Sequence, residues 1–197
     1  MMKIRCVFVG DEEVGKSSVL MKYTSNHLPS EKINNGIDNY SINLSQNNTF
    51  LNLQITDVSG SKDYSKIRPL AYSDSDLFVI CFSVDSQSSY DSVLSKWVTE
   101  VILSSPNCKI ILLATKKDLR EDPDTLRRLK KEGRKPISFE KGVSLAKKIK
   151  AERYMECSVK DSSSLSALFE YIAQCFSGQK KKKSEEQQRV SFSSNKY

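Results

Sequence analysis

The chain has 197 residues, 38% of them hydrophobic and 28% charged, with a formal net charge of +7. That length holds one well-filled core rather than two ordinary domains, and no apolar run reaches the roughly 20 residues of a membrane-spanning helix. The five cysteines are odd in number and never spaced C-x-x-C, which argues against a disulfide scaffold or a cysteine metal site and suits reduced thiols in the cytosol.

The start, Met1-Met2-Lys3-Ile4-Arg5-Cys6-Val7-Phe8-Val9, has too short an apolar stretch and no small-residue cleavage site for a signal peptide. Residues 4–9 read instead as a buried strand. Gly10-Asp11-Glu12-Glu13-Val14-Gly15-Lys16-Ser17 follows and matches G-x-x-x-x-G-K-[ST]. It lies between that strand and a helix over 16–24, the context the motif requires. Main-chain N–H groups from Glu12 to Ser18 would converge on phosphates. Lys16 would reach the β and γ oxygens, and the Ser17 hydroxyl would ligate Mg²⁺. The lone His27 follows in a polar stretch and reads as a solvated loop residue.

Strands over 40–44 and 51–57 flank the turn residues Gln46-Asn47-Asn48-Thr49, which predicts an antiparallel edge hairpin. Asp57-Val58-Ser59-Gly60 closes the second strand. Asp57 would hold Mg²⁺ through water, and the Gly60 N–H would contact a γ-phosphate. Residues 77–83 and 109–115 are nearly continuous apolar runs, as in strands covered on both faces, with a helix over 88–103 between them. Thr115-Lys116-Lys117-Asp118 follows the fifth strand. The Asp118 carboxylate can accept from guanine N1–H and the guanine amino group, a donor pair that adenine lacks. The alkyl stem of Lys116 can cover the ring, with Leu119 beside it. Glu156-Cys157-Ser158-Val159-Lys160, after a strand over 153–157, would complete the pocket.

The charged segment 120–136 reads as a surface insertion with a short helix about 125–131, followed by a helix over 138–149. In a last helix over 164–176, Leu165, Leu168, Phe169, Ile172 and Phe176 recur at helical spacing and form a core-facing stripe. The alternation of strands and helices predicts an α/β P-loop fold, with a six-stranded, mostly parallel sheet flanked by helices. The ordered domain spans 1–177. From Gly178 the composition turns Lys-, Ser-, Glu- and Gln-rich, as in a disordered tail. That tail holds +4 of the net charge, in Lys180–Lys183, Arg189 and Lys196 against Glu185 and Glu186. The body is therefore nearly balanced and is not expected to bind nucleic acid.

These elements, in this order, resemble a small GTPase of the Ras superfamily with a Ras-like G domain. Asp38-Asn39-Tyr40-Ser41, Asp63-Tyr64 with Arg68-Pro69-Leu70, Phe82-Ser83 with Lys96-Trp97, and Thr115-Lys116-x-Asp118-Leu119-Arg120 are similar to the Rho family. The charged segment resembles the Rho-type helical insert. The resemblance implies a monomeric switch that binds GTP or GDP with Mg²⁺. It further implies effectors that dock on Ile37, Asp38, Asn39 and Tyr40, exchange-factor and GAP-type regulators, and a role in cytoskeletal signalling.

The departures from the family pattern carry further expectations. Ser61 stands where hydrolysing members have the glutamine that orients the attacking water. Glu12 stands where they have glycine. Asn35 replaces, in register, the threonine that ligates Mg²⁺. Lys32 replaces the tyrosine over the γ-phosphate, and Leu28 the phenylalanine on guanine. The Val58-Ser59-Gly60-Ser61 stretch with the altered phosphate loop is similar to the Rnd subgroup, which binds GTP and barely hydrolyses it. The resemblance thus implies a mostly GTP-bound protein with no confident catalytic residue. Lys32 is the candidate counter-charge for Glu12, and Leu28 suggests a weaker grip on the base. A normally cycling GTPase and a nucleotide-poor pseudo-GTPase scaffold are the alternatives.

The chain ends Ser194-Asn195-Lys196-Tyr197 without a prenylation cysteine. Lys180–Lys183 would attract an anionic membrane weakly, at about 1 kcal/mol per residue, or form a merely solvated charge run. The expected location is cytoplasmic, with weak association at the inner face of the plasma membrane. Arg189-Val190-Ser191-Phe192 resembles a phosphatase docking motif, of a kind common in disordered tails.

Overall fold

The computed structural model describes residues 2–27, 36–46 and 49–177. Six strands form one sheet: β1 (Met2–Gly10), β2 (Ile37–Gln46), β3 (Thr49–Val58), β4 (Leu77–Ser83), β5 (Lys109–Thr115) and β6 (Arg153–Glu156). Their order is β2-β3-β1-β4-β5-β6. Only β2 and β3 pair antiparallel, with Gln46 opposite Thr49, while β1 runs parallel to both β3 and β4. The apolar runs expected to be covered on both faces lie at the centre: every residue of β4 is buried, and in β5 only Lys109 is not.

Helices cover both faces, dividing the core in two. One half holds Phe8, Leu20, Leu53, Val79 and Leu113 under α6 (Ser162–Ser177). All five residues of the stripe expected on that helix are buried, and Phe169 stacks on Tyr23 of α1 (Lys16–Ser25) with ring centroids 3.7 Å apart. The other half holds Val9, Phe78, Phe82, Trp97 and Leu145. Burial of this kind is the main stabilising contribution, at roughly 25 cal/mol per Å² of apolar surface.

The helix expected over 88–103 forms with an interruption. α2 (Gln87–Ser92) passes through a π-helical turn, Val93–Trp97, into α3 (Val98–Ser104). Hydrophobic periodicity does not report such a turn, because Val93, Trp97 and Val101 stay buried through it. The charged segment folds as expected around a short helix, α4 (Pro123–Lys131). Proline opens it where no N–H is needed, the Asp122 side chain caps it by accepting from the Thr125 N–H at 2.9 Å, and Leu129 anchors it at 3% exposure. Arg128 of α4 pairs with Asp85 at 2.7 Å. α5 (Phe139–Lys148) follows, capped by Ser138.

All five cysteines are free. Cys6, Cys81 and Cys157 are buried, and Cys108 and Cys175 half-buried. Among the described residues no helix is long and apolar enough to cross a membrane, and no cluster of three His, Cys, Asp or Glu side chains is placed to hold a metal.

Candidate functional site

Parallel strands place their C-terminal ends on one edge of the sheet, where open α/β folds bind ligands. Four loops meet there, after β1, β3, β5 and β6. The first is the phosphate loop. Gly10 has φ +148, and a Cβ there would lie 2.4 Å from the Cys81 carbonyl oxygen. Gly15 at φ +99 turns the chain into α1, so the free N–H groups at the helix start face the loop. Val14 is buried at 2% exposure, whereas Glu12 and Glu13 are exposed.

Lys16 is 6% exposed, and its Nζ donates to the carbonyls of Gly10 and Asp11 at 2.9 Å each. Burial pulls its pKa below the ordinary lysine range, against the opposing pull of Asp57 and Asp11. The ammonium is thus held under the loop by main-chain oxygens, while Ser17 and Ser18 open the helix beside it.

The Ser17 hydroxyl donates to Asp57 Oδ2. Asp57 is 5% exposed, and its other oxygen, Oδ1, is buried with no hydrogen-bond partner among the described residues. Burial raises the Asp57 pKa, against the Ser17 bond and the Lys16 charge. A buried carboxylate oxygen left unpaired costs free energy, and a hard cation with oxygen ligands would relieve it. The hydroxyl and carboxylate together fit Mg²⁺, which needs few protein ligands when phosphates supply the rest.

The residues expected to read the base converge from two loops. Asp118 Oδ1 accepts from the Ser158 hydroxyl at 2.6 Å, and Oδ2 pairs with Lys160 at 2.9 Å. Burial raises the Asp118 pKa, but these two partners outweigh it and leave the carboxyl below its usual range. It is therefore an anion, positioned to accept. Lys116 has φ +55 and reaches across to donate to the Glu13 carbonyl at 2.8 Å. Leu119 and Val159 stand half-buried beside these groups.

Gly60 packs directly on the phosphate loop: a Cβ on it would lie 2.4 Å from the Gly10 oxygen and 2.6 Å from the Glu12 nitrogen. Ser61 caps the short 3-10 turn Lys62–Tyr64, its hydroxyl accepting from the Asp63 N–H at 3.3 Å. The edge strand begins at Ile37, which is 37% exposed. Asn39 accepts from Thr56 at 3.0 Å, Tyr40 leans on the core, and Asp38 is half-buried. Leu28, Lys32 and Asn35, together with the tail, lie outside the described residues.

Several contributors carry no spacing signal in the sequence. Thr115 Oγ1 is buried against the carbonyls of Val14 and Phe82, tying the base loop to the phosphate loop. Trp97 Nε1 donates to Asp11 Oδ1 at 2.8 Å. Arg68, with no exposed side chain, forms a two-point ion pair with Glu100 at 2.7 and 3.0 Å. Arg68-Pro69-Leu70 and Lys96-Trp97 stand out in the sequence by their resemblance to a family pattern, but their contacts do not.

A cleft of about 390 Å³ lies away from these loops, between β1, β2 and the segment after Arg68, lined by Arg5, Tyr40, Gln54, Thr56, Ala71 and Ser73 among others. Its lining holds no carboxylate and no histidine. Across this whole frame, the family model described as the Ras family matches residues 5–177.

Proposed function

The chain belongs to the Ras family, and from that premise we propose that it is a Rho-like, guanine-nucleotide-dependent switch that rests with GTP bound and hydrolyses it very slowly. The observation that carries this reading is the position of Ser61. Its hydroxyl accepts from the Asp63 N–H, and its carbonyl accepts from Arg68 at 3.0 Å. A short side chain engaged in capping does not supply the amide that orients an attacking water. Family turnover without an activator is on the order of 10⁻⁴ per second. Losing that group removes a further factor of about 10 or more, about 1.4 kcal/mol of barrier.

In this reading the loop amides from Glu12 to Ser18 and the Lys16 ammonium hold the phosphates. Asp118, with Lys116, Leu119, Ser158, Val159 and Lys160 around it, holds guanine. Ser17 and Asp57 hold Mg²⁺, with Asn35 as the third protein ligand. When bound, the ion neutralises phosphate charge. Leu28 lies on the base, and Lys32 offsets the Glu12 carboxylate. Ile37, Asp38, Asn39 and Tyr40 face effectors of cytoskeletal signalling, and α4 is the Rho-type insert. The protein works as a cytoplasmic monomer, and Lys180–Lys183 in the tail add weak attraction to anionic membrane.

The nucleotide that copurifies with the protein tests the proposal. GTP supports it, GDP points to an ordinary cycling enzyme, and an empty site to a scaffold. Single-turnover cleavage at ordinary family rates, or strong stimulation by a Rho GAP, would defeat it.

A further inference from the structure

Three consecutive carbonyls after β3 are held by two cations. Ser59 O and Ser61 O both accept from Arg68 Nη1 at 3.0 Å, and Gly60 O accepts from Lys96 Nζ at 3.2 Å. Both cations lie over the Trp97 ring, Lys96 Nζ at 4.0 Å and Arg68 Cζ at 4.7 Å from its centroid. They are anchored behind: Arg68 by Glu100, and Trp97 by its bond to Asp11 in the phosphate loop. We infer that Lys96 and Arg68 are positioning residues that set the Gly60 amide against the phosphate loop before any terminal phosphate arrives.

The argument runs through peptide geometry. The peptide plane is rigid and trans, so a carbonyl fixed in one direction fixes the following N–H in the opposite one. With the Ser59 carbonyl turned to Arg68, the Gly60 N–H points away from it. Lys96 holds the next plane in the same way. Gly60 lies so close to the loop that a Cβ built on it would meet the Gly10 oxygen and the Glu12 nitrogen, leaving no room for a side chain between them. The π-helical turn supplies the second cation. Lys96 and Trp97 both lie in that turn, Val93–Trp97, and face Gly60 and Asp11. π turns inside α-helices recur at functional positions.

A preset amide favours a ligand with a third phosphate over one without it, because its ordering is already complete. The inference rests on guanine-nucleotide binding and not on slow hydrolysis, so the two are tested apart. The experiment measures dissociation of fluorescent GDP and of a fluorescent non-hydrolysable GTP analogue from the full chain. Lys96→Met keeps the alkyl stem on Trp97 and removes the charge, and Lys96→Arg restores a donor. Lys96→Met should release the triphosphate analogue roughly tenfold faster while GDP release stays within about twofold, the scale of one charge-assisted hydrogen bond. Lys96→Arg should return the analogue's rate toward that of the unmodified chain. An equal change for both nucleotides would reduce Lys96 to a structural prop and overturn the inference. No change for either nucleotide would overturn it as well.

Discussion

Replacing Glu100 with alanine tests the buried pair beneath Gly60 most directly. Arg68 has 0% exposure, and Glu100 is the carboxylate that pairs with its guanidinium. Removing one partner of a buried pair costs about 3–5 kcal/mol. The two carbonyls and the Trp97 ring that Arg68 keeps place the loss in the lower part of that range. Tyr72 adds to it. Its hydroxyl donates to Glu100 Oε1 at 2.6 Å, and a buried donor left unmatched costs about 1 kcal/mol or more. The expected total is about 3–4 kcal/mol, which for a domain of this size lowers the melting midpoint by about 10 °C. Urea and thermal unfolding should be followed at a fixed, saturating nucleotide concentration, because ligand binding itself shifts both midpoints. The double variant Arg68→Met with Glu100→Ala removes the uncompensated charge and should recover at least about 1 kcal/mol. A loss below about 1 kcal/mol in Glu100→Ala, or a double variant no more stable than the single one, would refute the reasoning.

Gly10→Ala should be among the most damaging single changes, at about 3 kcal/mol or more. Its Cβ would sit 2.4 Å from a main-chain oxygen of β4 at φ +148, and soluble yield and the urea midpoint would show the loss. Asp118→Ala should weaken GTP binding about 100-fold or more by removing two charge-assisted acceptors. It should cost only about 1 kcal/mol of stability, because the buried Ser158 hydroxyl loses its acceptor while the other partner, Lys160, is largely exposed; titration calorimetry and melting curves separate the two effects. Glu156 gives a pH dependence. Burial raises its pKa, but Arg120 at 2.7 and 2.8 Å and the Tyr154 hydroxyl outweigh that and hold it below the ordinary value. The stabilisation is therefore complete above the unfolded value of about 4.3 and is lost as pH falls through the lower folded value. Glu156→Gln should flatten the fall in stability across that acid range, as read by urea midpoints at a series of pH values.

Much of this architecture was legible in the sequence because the signals were local. Two continuous apolar runs marked β4 and β5, G-x-x-x-x-G-K-S marked the strand-to-helix turn at Gly15, and the charged segment marked the short helix α4, which begins at Pro123 rather than at 125. The order of elements carried the rest of the fold. What escaped was non-local. Asp11 and Trp97 are 86 residues apart in the chain, and Thr115 and Val14 are 101 apart, so no window of periodicity links them. The π turn escaped for another reason: its residues are ordinary helix formers, and only the position of Trp97 against the phosphate loop distinguishes it. Lys16 and Asp118 were legible as residue types, but not their resting partners.

Burial gives the thiols of this sheet an unusual quietness. Removal from water pushes the Cys6 and Cys81 thiols well above the ordinary cysteine range and Cys157 up to about 12, so almost no thiolate forms there at neutral pH. Alkylating reagents and mild oxidants therefore meet only the two half-buried sulfurs, Cys108 and Cys175. The folded protein carries its own tamper seal, because labelling at Cys6 or Cys81 reports that the central strands have come apart, and labelling at Cys157 that the end of the edge strand β6 has opened.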